Sequence, residues 1–288
     1  MVLPPTSRRG SQSWVCPVDI WGAACRVREE QVTYTLEVRG VSLRFGGVRA
    51  LTDVSFGVKD GELFSIIGPN GAGKTSMVNC ISGRYRPTEG SLHYRGRDIT
   101  ALNPNSRASL GIGRTFQNLA LFHHMTVLDN IMVGRHPRLT TNPLQRLLFL
   151  PVVRHEEVVH REAVERIIEF VELERVRHVP AGALPFGIQK IVGLARALAL
   201  EPSLLLLDEP SAGLTRDERD DLARFILRIK HDLKLPMIWI EHDMQMVADL
   251  ADRVHVLNYG RTLASGATAA VLRDPAVIAA YLGTARAR

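Results

Sequence analysis

From Tyr34 onward, apolar and polar residues alternate in short runs. "YTLEVRGVSLRF", "LTDVSFGVKDGELFSIIG" and "SLHYRGRDI" break at glycines or at the Asp60–Gly61 pair. A period of two with such punctuation predicts antiparallel strands joined by turns. They feed "LFSIIG" (63–68), whose unbroken apolar stretch predicts a strand covered on both faces, with a helix starting near Lys74. Between Thr126 and Leu173 the period lengthens. "TVLDNIMVG" opens on a threonine cap, and "EEVVHREAVERIIEFVEL" sets Val159, Ala163, Val164, Ile167, Ile168 and Val171 on one helical face, expected to pack into the core. "SLLLLDEP" (203–210) and "PMIWIEH" (236–242) predict two more buried strands, and a Thr-x-x-Glu capping box at Thr215 and Glu218 starts the helix between them. "RVHVLNYGRTLASG" predicts a hairpin around Tyr259–Gly260, and "TAAVLRDPAVIAAYLG" closes with short helical pieces. Strands alternating with helices predict an α/β fold with a mostly parallel sheet, an N-terminal antiparallel β subdomain and a helical subdomain inserted at about 119–200.

Residues 1–33 lack this texture. They mix Pro, Ser and Arg with isolated apolar residues, which predicts a disordered leader or a start codon set too far upstream, ahead of a folded domain at 36–285. Of the 288 residues, 45% are hydrophobic and 23% charged, enough for a sizeable core. The most apolar region, Ile191 to Leu207, is interrupted by Arg196, Glu201 and Pro202, so any membrane role is expected to run through partners. The net charge of +6 is spread along the chain, which argues against a dedicated nucleic-acid surface. Cys16, Cys25 and Cys80 form neither a metal-ligand spacing nor a disulfide framework, and fit a reducing compartment.

The chemistry starts at "GPNGAGKT" (68–75), which satisfies G-x-x-x-x-G-K-[ST] between a predicted strand and a predicted helix. Gly68, Gly71 and Gly73 let the backbone of Gly68, Pro69, Asn70, Gly71, Ala72 and Gly73 aim several amides at one phosphate chain. The following helix start, through Ser76, adds partial positive charge. Lys74 supplies a cation for the terminal phosphates, and Thr75 offers a hydroxyl to Mg²⁺. Asp208, at the end of the apolar run, is suited to hold Mg²⁺, and Glu209 to polarise the water that attacks the γ-phosphate. A nucleoside triphosphate with Mg²⁺ is therefore the expected ligand.

With these residues in place, the chain resembles the nucleotide-binding subunits of ABC (ATP-binding cassette) proteins over about residues 36–285. Phe45 falls where that family stacks an aromatic ring on adenine. Gln117, in "RTFQN", matches the glutamine that senses Mg²⁺ and the attacking water, and His242, in "IEHDM", the histidine that contacts the γ-phosphate. "LPFGIQK" (184–190) stands where the family signature Leu-Ser-Gly-Gly-Gln belongs, which implies that Gly187 and the amides opening a helix at 188–200 read the γ-phosphate bound on a second cassette. Each match is weak alone; their joint order around a complete phosphate loop carries the resemblance. There are departures. Pro185 has neither hydroxyl nor N–H, Phe186 replaces the first glycine, Ile188 replaces the glutamine, and Thr215 stands where many relatives have Asp.

"FGGVRALTDVSFGV", "TFQNLALFHHMTVLDNIMVGRH" and "DPAVIAAYLG" resemble the ATP-binding proteins of branched-chain amino acid importers in particular. That resemblance implies an ATPase paired with a second ATP-binding subunit, at the cytoplasmic face of the membrane beneath two permeases, and served indirectly by a substrate-binding protein. It also implies that 118–136 forms the groove receiving a permease helix. Two other classes remain open at this point: the ATPase of a lipid or polysaccharide exporter, and a non-transport ATPase acting on ribosomes or DNA.

Overall fold

The computed structural model describes residues 34–115, 120–141 and 151–285. Strand β1 (Tyr34–Phe45) pairs antiparallel with β2 (Val48–Lys59) and β4 (Glu89–Tyr94), and β5 (Arg97–Asp98) completes a four-stranded sheet ordered β2-β1-β4-β5. The first strand begins at Tyr34, two residues ahead of the boundary expected from sequence.

The second sheet is built from β3 (Leu63–Ile67), β6 (Ile112–Arg114), β7 (Leu204–Asp208), β8 (Met237–Ile240), β9 (Arg253–Asn258) and β10 (Arg261–Ala267), ordered β10-β9-β3-β8-β7-β6. All its pairings are parallel except β9 with β10, which turn back at Tyr259 and Gly260, both at positive φ. The continuous apolar runs follow from this topology. Leu204 and Leu206 pack beside Phe64, Met77 and Ile81, under the antiparallel sheet, whereas Leu205 and Leu207 pack beside Trp239 against the helical subdomain. Each fully buried side chain contributes roughly 1.5–3 kcal/mol, so a polar residue in either set would be costly.

Among the described residues the helices are α1 (Lys74–Ile81), α2 (Pro104–Ser109), α3 (Val127–Val133), α4 (Pro151–Phe170), α5 (Phe186–Leu198), α6 (Arg216–Asp232), α7 (Met244–Leu250), α8 (Thr268–Val271) and α9 (Pro275–Ala285). Thr126 caps α3 by accepting from the Asp129 amide, and the Thr215–Glu218 box starts α6 as its sequence predicts. The stripe on α4 needs one correction. Ala163, Val164 and Ile168 are buried, but Val159 is 45% exposed and His160 takes the inward position. The helical period selects 160, 163, 164 and 168, so Val159 falls one step off the face. The polar ring is accommodated because Arg135 Nε donates to His160 Nδ1 at 3.0 Å.

Candidate nucleotide site

Four loops at the C-terminal ends of β3, β7 and β8 and at the start of α5 carry the residues singled out above. The phosphate loop links β3 to α1. Gly68 sits at φ +148° and Gly73 at φ +102°; a Cβ on Gly68 would run into the Leu257 carbonyl, and one on Gly73 would lie 2.7 Å from the Ala50 carbonyl. Both obstacles are backbone, so only glycine fits. Lys74 is 6% exposed, and its Nζ donates to the carbonyls of Gly68 (2.7 Å) and Pro69 (3.1 Å). Burial pulls its pKa down, and the carboxylates of Glu209 and Asp208 act the other way. Thr75, on the first turn of α1, is exposed, and Ser76 is half-buried.

Asp208 ends β7. Its Oδ2 accepts from Arg114 at 2.8 Å, while the buried Oδ1 has no donor among the described residues. Burial raises its pKa against the opposing pull of Arg114. Arg114 is itself steered by Asn79 Oδ1 (2.7 Å) on α1 and by Ser82 Oγ (2.9 Å) at its C-cap, so one carboxylate oxygen is fixed and the other is left over among the described residues. A leftover buried carboxylate oxygen and a hydroxyl at Thr75 fit a hard divalent cation such as Mg²⁺. No cluster of three His, Cys, Asp or Glu that could hold a metal occurs among the described residues.

Glu209 follows in the left-handed region, φ +49°, a conformation costing a non-glycine residue about 1–3 kcal/mol. Its amide is tied to Ile240 O at 3.0 Å, and its Oε1 lies 2.8 Å from His242 Nε2. The carboxylate is mostly covered and the imidazole is half-exposed. Beneath this pair lies Glu241, 2% exposed, whose Oε1 accepts from the Ser211 amide (3.0 Å) and Oε2 from the His242 amide (2.9 Å). Sequence reading passed over Glu241 and Arg114, although both lie inside stretches it quoted. A charge next to a buried strand end was the available signal.

Phe45 is 45% exposed at the end of β1, braced edge-on by Tyr85 at 5.0 Å and 76°. An exposed ring held by a second ring makes a stacking platform. Gln117 lies outside the described residues.

Helix α5 begins at Phe186, two residues before the expected 188, with Pro185 as its N-cap and no side-chain cap. Gly187, expected with the amides of this helix start to read a phosphate, has its N–H donating to Glu218 Oε1 at 3.2 Å. Ile188 turns inward against the helical core, which suits an apolar residue where the family has glutamine. Phe186 is 46% exposed, its ring against Gly213. Thr215 accepts from the Glu218 amide, so its hydroxyl serves the cap of α6.

The family model described as ABC transporter matches residues 51–212, and one described as branched-chain amino acid ATP-binding cassette transporter matches 261–287. The chain is 40% identical, over 87% of its length and 98% of the relative's, to the high-affinity branched-chain amino acid transport ATP-binding protein BraF of Pseudomonas aeruginosa. It is 38% identical, over 87% of its length and 98% of the relative's, to the corresponding LivG protein of Salmonella typhimurium. Among solved structures it resembles the ADP conformation of an ATP-binding cassette of an ABC transporter, with TM-score 0.76 and 31% identity, covering 87% of this chain and 99% of that one.

Proposed function

This chain belongs to the ABC transporter family of ATP-binding cassettes, and from that premise we propose that it is the ATP-hydrolysing subunit of a branched-chain amino acid importer. The observation that carries the reading is the Glu209–His242 pair, 2.8 Å apart, beyond the C-terminal ends of β7 and β8, in the same sheet as the strand that leads into a phosphate loop closed on Lys74. Full-length similarity to two branched-chain amino acid transport proteins supports the substrate class and favours import over the exporter and ribosome- or DNA-acting alternatives. The cassette corresponds to about 36–285 with its helical part at about 119–200.

In this reading, adenine stacks on Phe45. The loop amides from Gly68 to Gly73, with the α1 start at Thr75 and Ser76, cradle the phosphates, and Lys74 leaves its carbonyls to pair with them. Asp208 and Thr75 would hold Mg²⁺, and the resemblance gives Gln117 the role of sensing it. Bound there, the cation screens the phosphate charge. Glu209 takes a proton from the attacking water, while His242 orients that carboxylate and reaches toward the γ-phosphate. The start of α5, with Gly187, faces the nucleotide of a second cassette, the same or dissimilar, so that two nucleotides lie between two subunits. No helix among the described residues is long and apolar enough to cross a membrane; the similarity to transport ATP-binding proteins supports contact with the bilayer through permease subunits at its cytoplasmic face. Phe122 (51% exposed) and Val133 (37% exposed) offer apolar surface within 118–136 for a permease helix.

The test is Glu209→Gln in the assembled transporter. Phosphate release is expected to fall by at least about 100-fold with ATP still bound, and leucine uptake into vesicles to stop. Hydrolysis at the wild-type rate would remove Glu209 from this role.

A further inference from the structure

The first turns of α5 are joined to the segment that follows β7 at three separate points. Gly187 N donates to Glu218 Oε1 at 3.2 Å, and the other oxygen of that carboxylate accepts from the Thr215 amide and hydroxyl, both at 2.9 Å. The ring of Phe186 packs onto Gly213, where an added Cβ would come within 3.1 Å of it; Gly213, at φ +80°, leaves the room. The third point reaches the chemistry. Lys190, one turn into α5, is only 7% exposed, and its Nζ points at the carbonyl oxygen of Glu209, 3.5 Å away.

That contact is long for a hydrogen bond but short for an ammonium facing a carbonyl dipole in a covered place. The ammonium also lies 5.5 Å from the centre of the Phe186 ring, and the carboxylates around it are those of Glu241 and Glu209. Burying a lysine is costly, and burial does push its pKa down. A leucine or methionine would fill the same space without that penalty. What a cation adds is a grip on the peptide that sets the direction of Glu209. That peptide needs holding: Glu209 sits at φ +49°, and its amide is already fastened to Ile240 O at 3.0 Å. Lys190 holds the opposite end.

We propose that Lys190 is a positioning residue that fixes the backbone of Glu209 from α5, so that the helix end facing the partner's nucleotide and the chain's own carboxylate move as one unit. The proposal rests on the reading of Glu209 given above. A displacement of α5 on meeting a phosphate would thereby reach the water-activating group of the other site through one side chain, rather than through the whole sheet.

The experiment compares Lys190→Met and Lys190→Arg with the wild-type chain by two readouts. In the isolated chain, hydrogen exchange of the peptide covering 208–214 is expected to speed up at least fivefold in Lys190→Met and to stay near wild type in Lys190→Arg. In the assembled transporter, Lys190→Met is expected to lose at least tenfold in kcat with KM for ATP within twofold, and Lys190→Arg to keep a third or more of the rate. Unchanged exchange at 208–214, or faster exchange with unchanged kcat, overturns the proposal, as does a loss in Lys190→Arg equal to that in Lys190→Met. The exchange readout needs neither pairing nor hydrolysis. An inactive wild-type assembly would therefore defeat the functional reading separately from the Lys190–Glu209 grip.

Discussion

On the proposed reading, two helix starts face the same job, binding phosphate, with opposite construction. Neither α1 nor α5 has a side-chain cap. The α1 start is walled by backbone: the carbonyls of Leu257 and Ala50 leave no room for a side chain at Gly68 and Gly73, and Lys74 lies folded inside. The α5 start is walled by a side chain. Gly187 faces the Glu218 carboxylate, which already takes its amide. A cradle of fixed backbone dipoles is preorganised for an anion and needs no rearrangement to bind one. An end occupied by the protein's own carboxylate must exchange or share that partner first. The first loop is thus equipped to grip a nucleotide alone, and the second to respond once a nucleotide is held elsewhere.

The largest effect is expected at the rigid end. Lys74→Met should weaken ATP binding to the isolated chain by at least about 100-fold, since a charge-assisted contact to the terminal phosphates is lost. Calorimetry showing an unchanged Kd would mean the loop does not grip by charge. Next comes a pair of substitutions that set the two walls against each other. Gly73→Ala combines positive φ with a backbone obstacle and should cost about 2–3 kcal/mol of stability. Gly187→Ala should cost less than about 1 kcal/mol, because the Glu218 side chain can swing away. Equal losses in thermal melts would erase the distinction between rigid and soft.

The smallest effect concerns acid. The Thr215 amide and hydroxyl, with a further share from Gly187, hold the Glu218 carboxyl below its usual range of about 4.5. A depressed folded value means the contact is complete above the unfolded pKa and lost as pH falls through the lower folded one. Amide exchange in the first turn of α5 should therefore loosen below pH about 4.5 in the wild type relative to Glu218→Gln measured at the same pH. Parallel behaviour of the two would show that the charge on Glu218 does not hold the helix.

The fold was largely legible because its signals are local. Period-two runs, the Asp60–Gly61 turn, the Thr126 cap and the Thr215–Glu218 box each depend on a few adjacent residues. The sheet order could be anticipated only as mostly parallel, since pairing β3 between β8 and β9 joins segments far apart in the chain. At the candidate site, Gly68 to Thr75 could be singled out because a glycine-rich turn between strand and helix has few other uses, and Asp208 and Glu209 because two carboxylates end an unbroken apolar run. Arg114, Glu241 and Lys190 were not. Each acts through a partner on another element, and nothing in the residue itself says where its charge will point. The same limit explains Gly187: its spacing marks a helix start, but only the fold brings Glu218 to it.

A single oxygen near the N-terminal sheet has a wide reach. The Ala50 carbonyl stands where a side chain on either Gly73 or Gly260 would have to go, and Gly260 O in turn accepts from the Thr52 amide at 2.7 Å. Three distant stretches are thus pinched at one spot, between the ring platform of Phe45 and the turn that receives phosphate. On the proposed reading, the separation of the adenine platform from the phosphate cradle is set in part by this backbone-on-backbone contact rather than by side chains. The groups that would tell a triphosphate from a diphosphate then lie at the other end of the cradle, where Glu209 meets His242.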